Sequence, residues 1–171
     1  RMVLRKKPAG PILRGAHAVD REFRVLNALS GPNVPVPRAI VYHDEPDVVG
    51  TPFYLMERLE GRVFHDASLP GLQAEERRQI YFALADTLAR LHAVRPEAVG
   101  LEDYGRPGNY FERQSGRWIK QYRGEETERI DAMERLIEYL PAHIPSDNSV
   151  SIAHGDYRPE NTIFHPTEPR L

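Results

Sequence analysis

A short apolar run, Met2-Val3-Leu4, opens the chain and predicts a strand over Met2–Lys6, followed by a Gly/Pro-rich stretch from Lys7 to Gly15. The pattern then changes to a helical period. Over residues 16–30, Ala18, Val19, Phe23, Val25, Leu26 and Leu29 are apolar, with Asp20, Arg21, Glu22 and Arg24 between them, and Gly31-Pro32 stops the helix. Residues 38–43 and Pro52–Glu57 predict two strands around a turn at 44–50, and so a hairpin. Residues 59–62 read as a connector, and 74–93 carry Ile80, Ala83, Leu84, Leu88 and Leu91 on one helical face. Two further amphipathic helices are predicted over Asn109–Tyr122 and Glu126–Leu140, the second ended by Pro141 and Pro145. Short strands at 151–153 and 162–164 should flank a polar loop. This order gives an α+β chain: a small antiparallel sheet with one helix, then a mostly helical part. It lacks the regular alternation of a doubly wound sheet.

Composition narrows the function. The apolar share of 40% supports a packed core, and a net charge of -2 over 171 residues gives no reason to expect nucleic acid or an acidic membrane surface as partner. No apolar run reaches the length of a membrane span. The absence of cysteine excludes disulfides and cysteine-ligated zinc. Prolines cluster in Gly31-Pro32-Asn33-Val34-Pro35-Val36-Pro37, which reads as a rigid linker. His17, His43, His65, His92 and His143 lack metal-ligand spacing and read as structural or exposed, and Trp118 and Tyr122 read as packing residues. The chain starts and stops in strand-like sequence, so it is expected to be an excerpt of a longer protein; separately, the expected compartment is the cytoplasm.

The chemistry concentrates in His154-Gly155-Asp156-Tyr157-Arg158-Pro159-Glu160-Asn161. Phosphoryl transfer from ATP needs an oriented nucleophile, metal on the phosphates and charge compensation rather than covalent help. A carboxylate can orient an acceptor hydroxyl and take its proton, and a side-chain amide oxygen can hold a metal. The spacing Asp156-x-x-x-x-Asn161 offers both from one loop. Gly155 stands where a protein kinase has the Arg that pairs with an activation-loop phosphate, which argues against that regulation and against a protein kinase.

The loop resembles the catalytic loop of the aminoglycoside phosphotransferase and choline-kinase-like superfamily. With Gly105–Gln114 and Val19–Leu26, it resembles most the branch containing the kinase domain fused to some acyl-CoA dehydrogenases. The resemblance spans nearly the whole chain. It implies a protein-kinase-like bilobal fold, with a partial nucleotide-side lobe over 1–60 and a partial helical lobe over 61–171 carrying the loop 154–161. It implies ATP and Mg²⁺ as cofactors and a hydroxyl of a small molecule, such as a hydroxyacyl compound, as acceptor. Asp156 matches the catalytic Asp, Asn161 a metal ligand, and His154 a residue supporting the loop. A second acidic metal ligand is expected after Leu171, and a glycine-rich phosphate loop before Met2.

On the nucleotide side, Met2-Val3-Leu4-Arg5 sits in the register of the kinase V-A-I-K strand. Val3 would roof the adenine, Arg5 would reach the phosphates, with Lys7 as the alternative, and Glu22 would be the cation's partner. Arg in place of Lys keeps the charge and changes the geometry. Phe53–Gly61 resembles the last strand and hinge, where backbone groups of Glu57 and Leu59 would meet the base and Met56 would back the pocket. Arg106, Asn109, Tyr110 and Arg113 could touch an acceptor, although the same residues fit a helix N-terminus with Asn109 as cap. The alternative to an enzyme is a pseudokinase or nucleotide-binding module that scaffolds a partner.

Overall fold

A computed structural model describes residues 1–7, 18–31, 34–106, 108–146 and 149–171. Most of the Gly/Pro stretch after Lys7, His17, Pro107, and Pro32-Asn33 of the linker fall outside them. The chain divides into two compact units: residues 1–101 with 151–171, and 102–150.

The first unit opens with a three-stranded antiparallel sheet in the order β1-β3-β2, where β1 is Met2–Lys6, β2 Ala39–His43 and β3 Phe53–Glu57. β3 is central, which explains why it buries Phe53 and Tyr54 while Met2, Leu4 and Val41 on the outer strands stay exposed. Its register sets Arg5 opposite Tyr54 and Val3 opposite Met56. Tyr42 also lies opposite Tyr54, and the β2 ladder is irregular between Ala39 and Val41. Helix α1, Val19–Leu29, carries Asp20 and Glu22 in its first turn, where the N-terminal partial charge favours carboxylates. It packs Phe23 against Tyr42 and Tyr54, with ring centroids 5.7 and 6.0 Å apart.

Helix α2, Ala74–Ala93, buries Ile80, Leu84, Thr87 and Leu91, a stripe at helical spacing. Ile80 and Leu84 join Leu69 and Phe164 in a core onto which Phe64, Leu72 and Tyr157 pack. Phe164 is fully buried, so the polar loop before it hangs from a core anchor. The predicted strands at 151–153 and 162–164 do not form. In their place is one antiparallel bridge between Arg62 and Phe164. The apolar residues there read as strand, yet Phe164 serves as a core plug, Ile163 is exposed, and no ladder extends the bridge.

The second unit pairs α3, Tyr110–Glu125, with α4, Asp131–Ala142. Arg123 on α3 holds Glu134 of α4 with bonds of 2.6 and 2.7 Å. The expected start of the last helix at Glu126 is five residues early, because 126–130 forms the connection, in which Glu126 also pairs with Arg123 at 3.1 Å. Pro141 lies inside the final turn of α4 instead of ending it. Trp118 is exposed under the Arg117 guanidinium, 4.9 Å from ring centre to Cζ, and so is not the packing residue expected.

Candidate active site

Two clusters form in the first unit. The first is on the sheet. Arg5 leaves β1 on the α1 side, and its Nε donates to Glu22 Oε2 at 3.0 Å. Tyr54, opposite Arg5, donates its hydroxyl to the same oxygen at 3.1 Å. Glu22 raises the pKa of Arg5 through this bond. Burial, and then the Glu22 charge, push the Tyr54 phenol up to about 12. The expected cation–carboxylate pair therefore forms through Arg5, and the sequence reading missed Tyr54 as its third member. The period-two register of the sheet would have shown it. Tyr54→Phe should lower stability by about 1 kcal/mol, the usual cost of one lost hydrogen bond. A urea midpoint equal to wild type would show that the hydroxyl contributes nothing.

At the end of β3, Met56 is half-buried between Val3 and Ala39. The Glu57 N–H donates to the Arg38 carbonyl at 3.0 Å, and its carboxylate accepts from the Arg38 N–H at 3.0 Å. That amide is committed, so a base in this hinge would have to use other backbone groups, such as those at the exposed Leu59.

The second cluster is the loop. Gly155 takes a φ of +84°, a conformation that disfavours side chains and lets the loop reverse after His154. His154 Nδ1 faces the Asp156 N–H at 3.4 Å, and its ring meets Tyr157 edge-on with centroids 5.4 Å apart. Tyr157 turns inward and donates its hydroxyl to the Leu84 carbonyl at 2.9 Å, which pins the loop to α2. Burial raises the pKa of this phenol. The turn at Pro159–Asn161 then brings the amide back. Asn161 Nδ2 donates to Asp156 Oδ2 at 2.7 Å and to its carbonyl at 3.0 Å.

Asp156 Oδ1 lies 3.2 Å from Arg158 Nε, and Arg158 Nη2 lies 2.5 Å from Glu160. The Asp156 side chain is 64% exposed, so it stays open to a substrate while both oxygens are oriented. Arg158 was not among the residues predicted. Its place two positions after the Asp, in a loop read for carboxylate and amide alone, was the available signal. Because Asn161 turns its amide nitrogen to Asp156, its amide oxygen is the end left for a hard cation such as Mg²⁺. No group of three or more His, Asp or Glu side chains able to hold a metal occurs among the described residues.

No hydrogen bond joins the Arg5–Glu22 cluster to the loop among the described residues. In the second unit, Arg113 donates to the Arg106 carbonyl at 2.9 Å and to the Gly108 carbonyl, so it closes the turn ahead of α3. Asn109 is the N-cap, with a φ of 49° and no side-chain cap bond, and Tyr110 is exposed. His43 pairs with Asp47 and His143 stacks on Tyr139, while His65 and His92 are exposed. No helix among the described residues is long and apolar enough to cross a membrane.

The chain is 47% identical over 165 residues to mouse acyl-CoA dehydrogenase family member 10, matching 96% of this chain and 15% of that protein. It is 45% identical over 170 residues to human acyl-CoA dehydrogenase family member 11, matching 99% of this chain and 22% of that protein. The chain thus spans less than a quarter of the length of these relatives. Among solved structures, a Ralstonia eutropha protein carrying the provisional name aminoglycoside phosphotransferase superposes with a TM-score of 0.88 at 47% identity, over 99% of this chain and 50% of that one. The model of the APH phosphotransferase enzyme family matches residues 1–171. With a family model covering its full length and a solved neighbour nearly half identical to it, this chain belongs to the APH phosphotransferase enzyme family.

Proposed function

We propose that this chain carries the nucleotide and phosphoryl-transfer core of an ATP- and Mg²⁺-dependent enzyme that phosphorylates a hydroxyl of a small molecule. The observation that carries the reading is the 2.7 Å contact that gathers Asn161 and Asp156 onto one exposed, core-anchored loop. In this reading residues 1–60 form the nucleotide side and 61–171 the catalytic side. Arg5, held by Glu22, faces the phosphates, while Met56, the Glu57 carbonyl and the Leu59 N–H meet the adenine. The Asn161 amide oxygen would be one ligand of a bound Mg²⁺, which would supply positive charge to offset that of the phosphates. Asp156 accepts the proton of the acceptor hydroxyl as that oxygen bonds to the γ-phosphorus and the bond to ADP breaks. Arg158 supplies positive charge beside the carboxylate, and His154 braces the loop. The names of the acyl-CoA dehydrogenase relatives direct the acceptor towards a hydroxyacyl compound.

Calorimetry of ATP binding with and without Mg²⁺, beside Asn161→Ala, tests the reading. Mg²⁺ should tighten ATP binding to the wild type, and the variant should lose most of that gain, at least the roughly 10-fold that losing an outer-shell partner of a metal typically costs. Wild-type binding indifferent to Mg²⁺ would defeat the proposal and leave a nucleotide-binding scaffold as the better description.

A further inference from the structure

Arg62 makes more tertiary connections than the site described so far uses. Its guanidinium reaches three separate places. Nε donates to the His165 carbonyl at 3.1 Å, Nη2 to the Glu168 carbonyl at 3.1 Å, and Nη1 to Glu76 of α2 at 2.7 Å. Its backbone exchanges a further pair of bonds with Phe164, at 2.8 and 2.9 Å. The guanidinium also sits over the Phe64 ring, 5.4 Å from its centre. The side chain is only 26% exposed, so these bonds are partly shielded from water.

The segment gripped in this way is the one that leaves the catalytic loop. Phe164 is three residues beyond Asn161, and the intervening Thr162 is itself fixed, with its Oγ1 donating to the Pro159 carbonyl at 3.0 Å and its N–H to the same oxygen at 3.3 Å. Burial of Phe164 sets how deep this segment sits. The paired backbone bonds with residue 62 fix the register at Phe164 itself, as a single bridge about which the chain could still pivot. The fork of Arg62 opposes that pivoting by holding two carbonyls beyond the bridge, three residues apart. A lysine ammonium, a single point charge on a flexible stem, does not reproduce this geometry.

We infer that Arg62 is a positioning residue that locks the chain leaving the catalytic loop, and through it sets Asn161 for the metal–phosphate end of the nucleotide. The inference rests on the phosphotransferase reading of Asp156 and Asn161. It predicts that the fork geometry of Arg62, beyond its charge, controls the Mg²⁺ requirement.

The test compares wild type, Arg62→Lys and Glu76→Gln in the full-length protein, with folding checked by circular dichroism. Arg62→Lys should raise the Mg²⁺ concentration needed for half-maximal tightening of ATP binding by about 10-fold or more, the range for outer-shell partners of a metal site. Its metal-free ATP affinity should stay within about 2-fold of wild type. Amide exchange at Phe164 and His165 should quicken in the same variant without nucleotide. Glu76→Gln, which leaves both carbonyl bonds available, should keep the wild-type Mg²⁺ requirement. A wild-type Mg²⁺ requirement in Arg62→Lys overturns the inference, and if exchange still quickens, the residue is purely structural. An equal shift in Glu76→Gln also overturns it, because loss of the ion pair would then suffice. A wild type without Mg²⁺-dependent binding defeats the phosphotransferase reading and removes the step Arg62 was inferred to position. The exchange measurement would in that case still report whether the clamp exists.

Discussion

Asp156→Asn should abolish most phosphoryl transfer while leaving ATP bound. The substitution keeps the size of the side chain and leaves an oxygen able to accept from Asn161 Nδ2, now 2.7 Å away, so the loop should hold its shape. It removes the carboxylate that would take the acceptor proton. A positioned general base is worth about 10²–10⁴ in rate, and kcat should fall by that factor. The KM for ATP should move by no more than about 3-fold, since the proposed nucleotide contacts lie on Arg5 and the hinge rather than on this carboxylate. Steady-state kinetics on an accepted hydroxyl substrate reads both numbers. A kcat within a few-fold of wild type would mean that Asp156 is not the base. A parallel collapse of ATP binding would mean that the carboxylate holds the loop or the metal instead.

The second large effect is on stability. Gly61→Ala should destabilise the protein by about 1–3 kcal/mol, the usual cost of forcing a methyl group into a packed site. A Cβ at Gly61 would overlap the Phe164 carbonyl oxygen and stand 2.6 Å from Ile163 Cγ2. The oxygen it meets is backbone, and it already accepts from the Arg62 N–H at 2.8 Å, so it cannot swing aside as a flexible side chain would. At about 2–4 °C per kcal/mol for a protein of this size, the melting midpoint should drop by several degrees. Gly31→Ala, whose Cβ would meet nothing within 4 Å, is the matching control. Equal melting of the two variants would show that the contact between residues 61 and 164 relaxes without cost.

Much of this was legible in the sequence, for reasons that differ by element. β1 and α2 match their expected ranges because each carries a clear local pattern: an apolar run for the first, a five-residue apolar stripe for the second. The Arg5–Glu22 pair could be expected because Met2–Arg5 sits in the register of the kinase V-A-I-K strand, whose cation pairs with a Glu on the next helix, and the pair forms at 3.0 Å. Asp156 and Asn161 were legible by their spacing against the kinase signature, and the structure brings them into contact. The errors fall where long-range packing decides. The stretch 162–164 is strand-like in composition, but its partner is the single residue Arg62, so a plug and a bridge replace a ladder. Residues 126–130 continue an apparently helical sequence, yet α4 waits until Asp131. Arg62 read as connector because its partners, Glu76, His165 and Glu168, are brought to it only by the fold.

The first unit is discontinuous in sequence, and this has a kinetic side. Arg62 and His165 are 103 positions apart, and residues 102–150, which form the second unit, lie between them. On a ribosome adding about 5–20 residues per second, the Arg62 clamp has to wait at least several seconds for its partners, so α2 is made well before the loop it will anchor. The same topology makes the intervening stretch cheap to vary. Loop-closure entropy grows only logarithmically, and doubling the length of that excursion would cost roughly 0.6 kcal/mol. A change in the length of residues 102–150 would therefore add little to the entropy of closing the first unit. That leaves evolution a segment to remodel on a fixed chemical core.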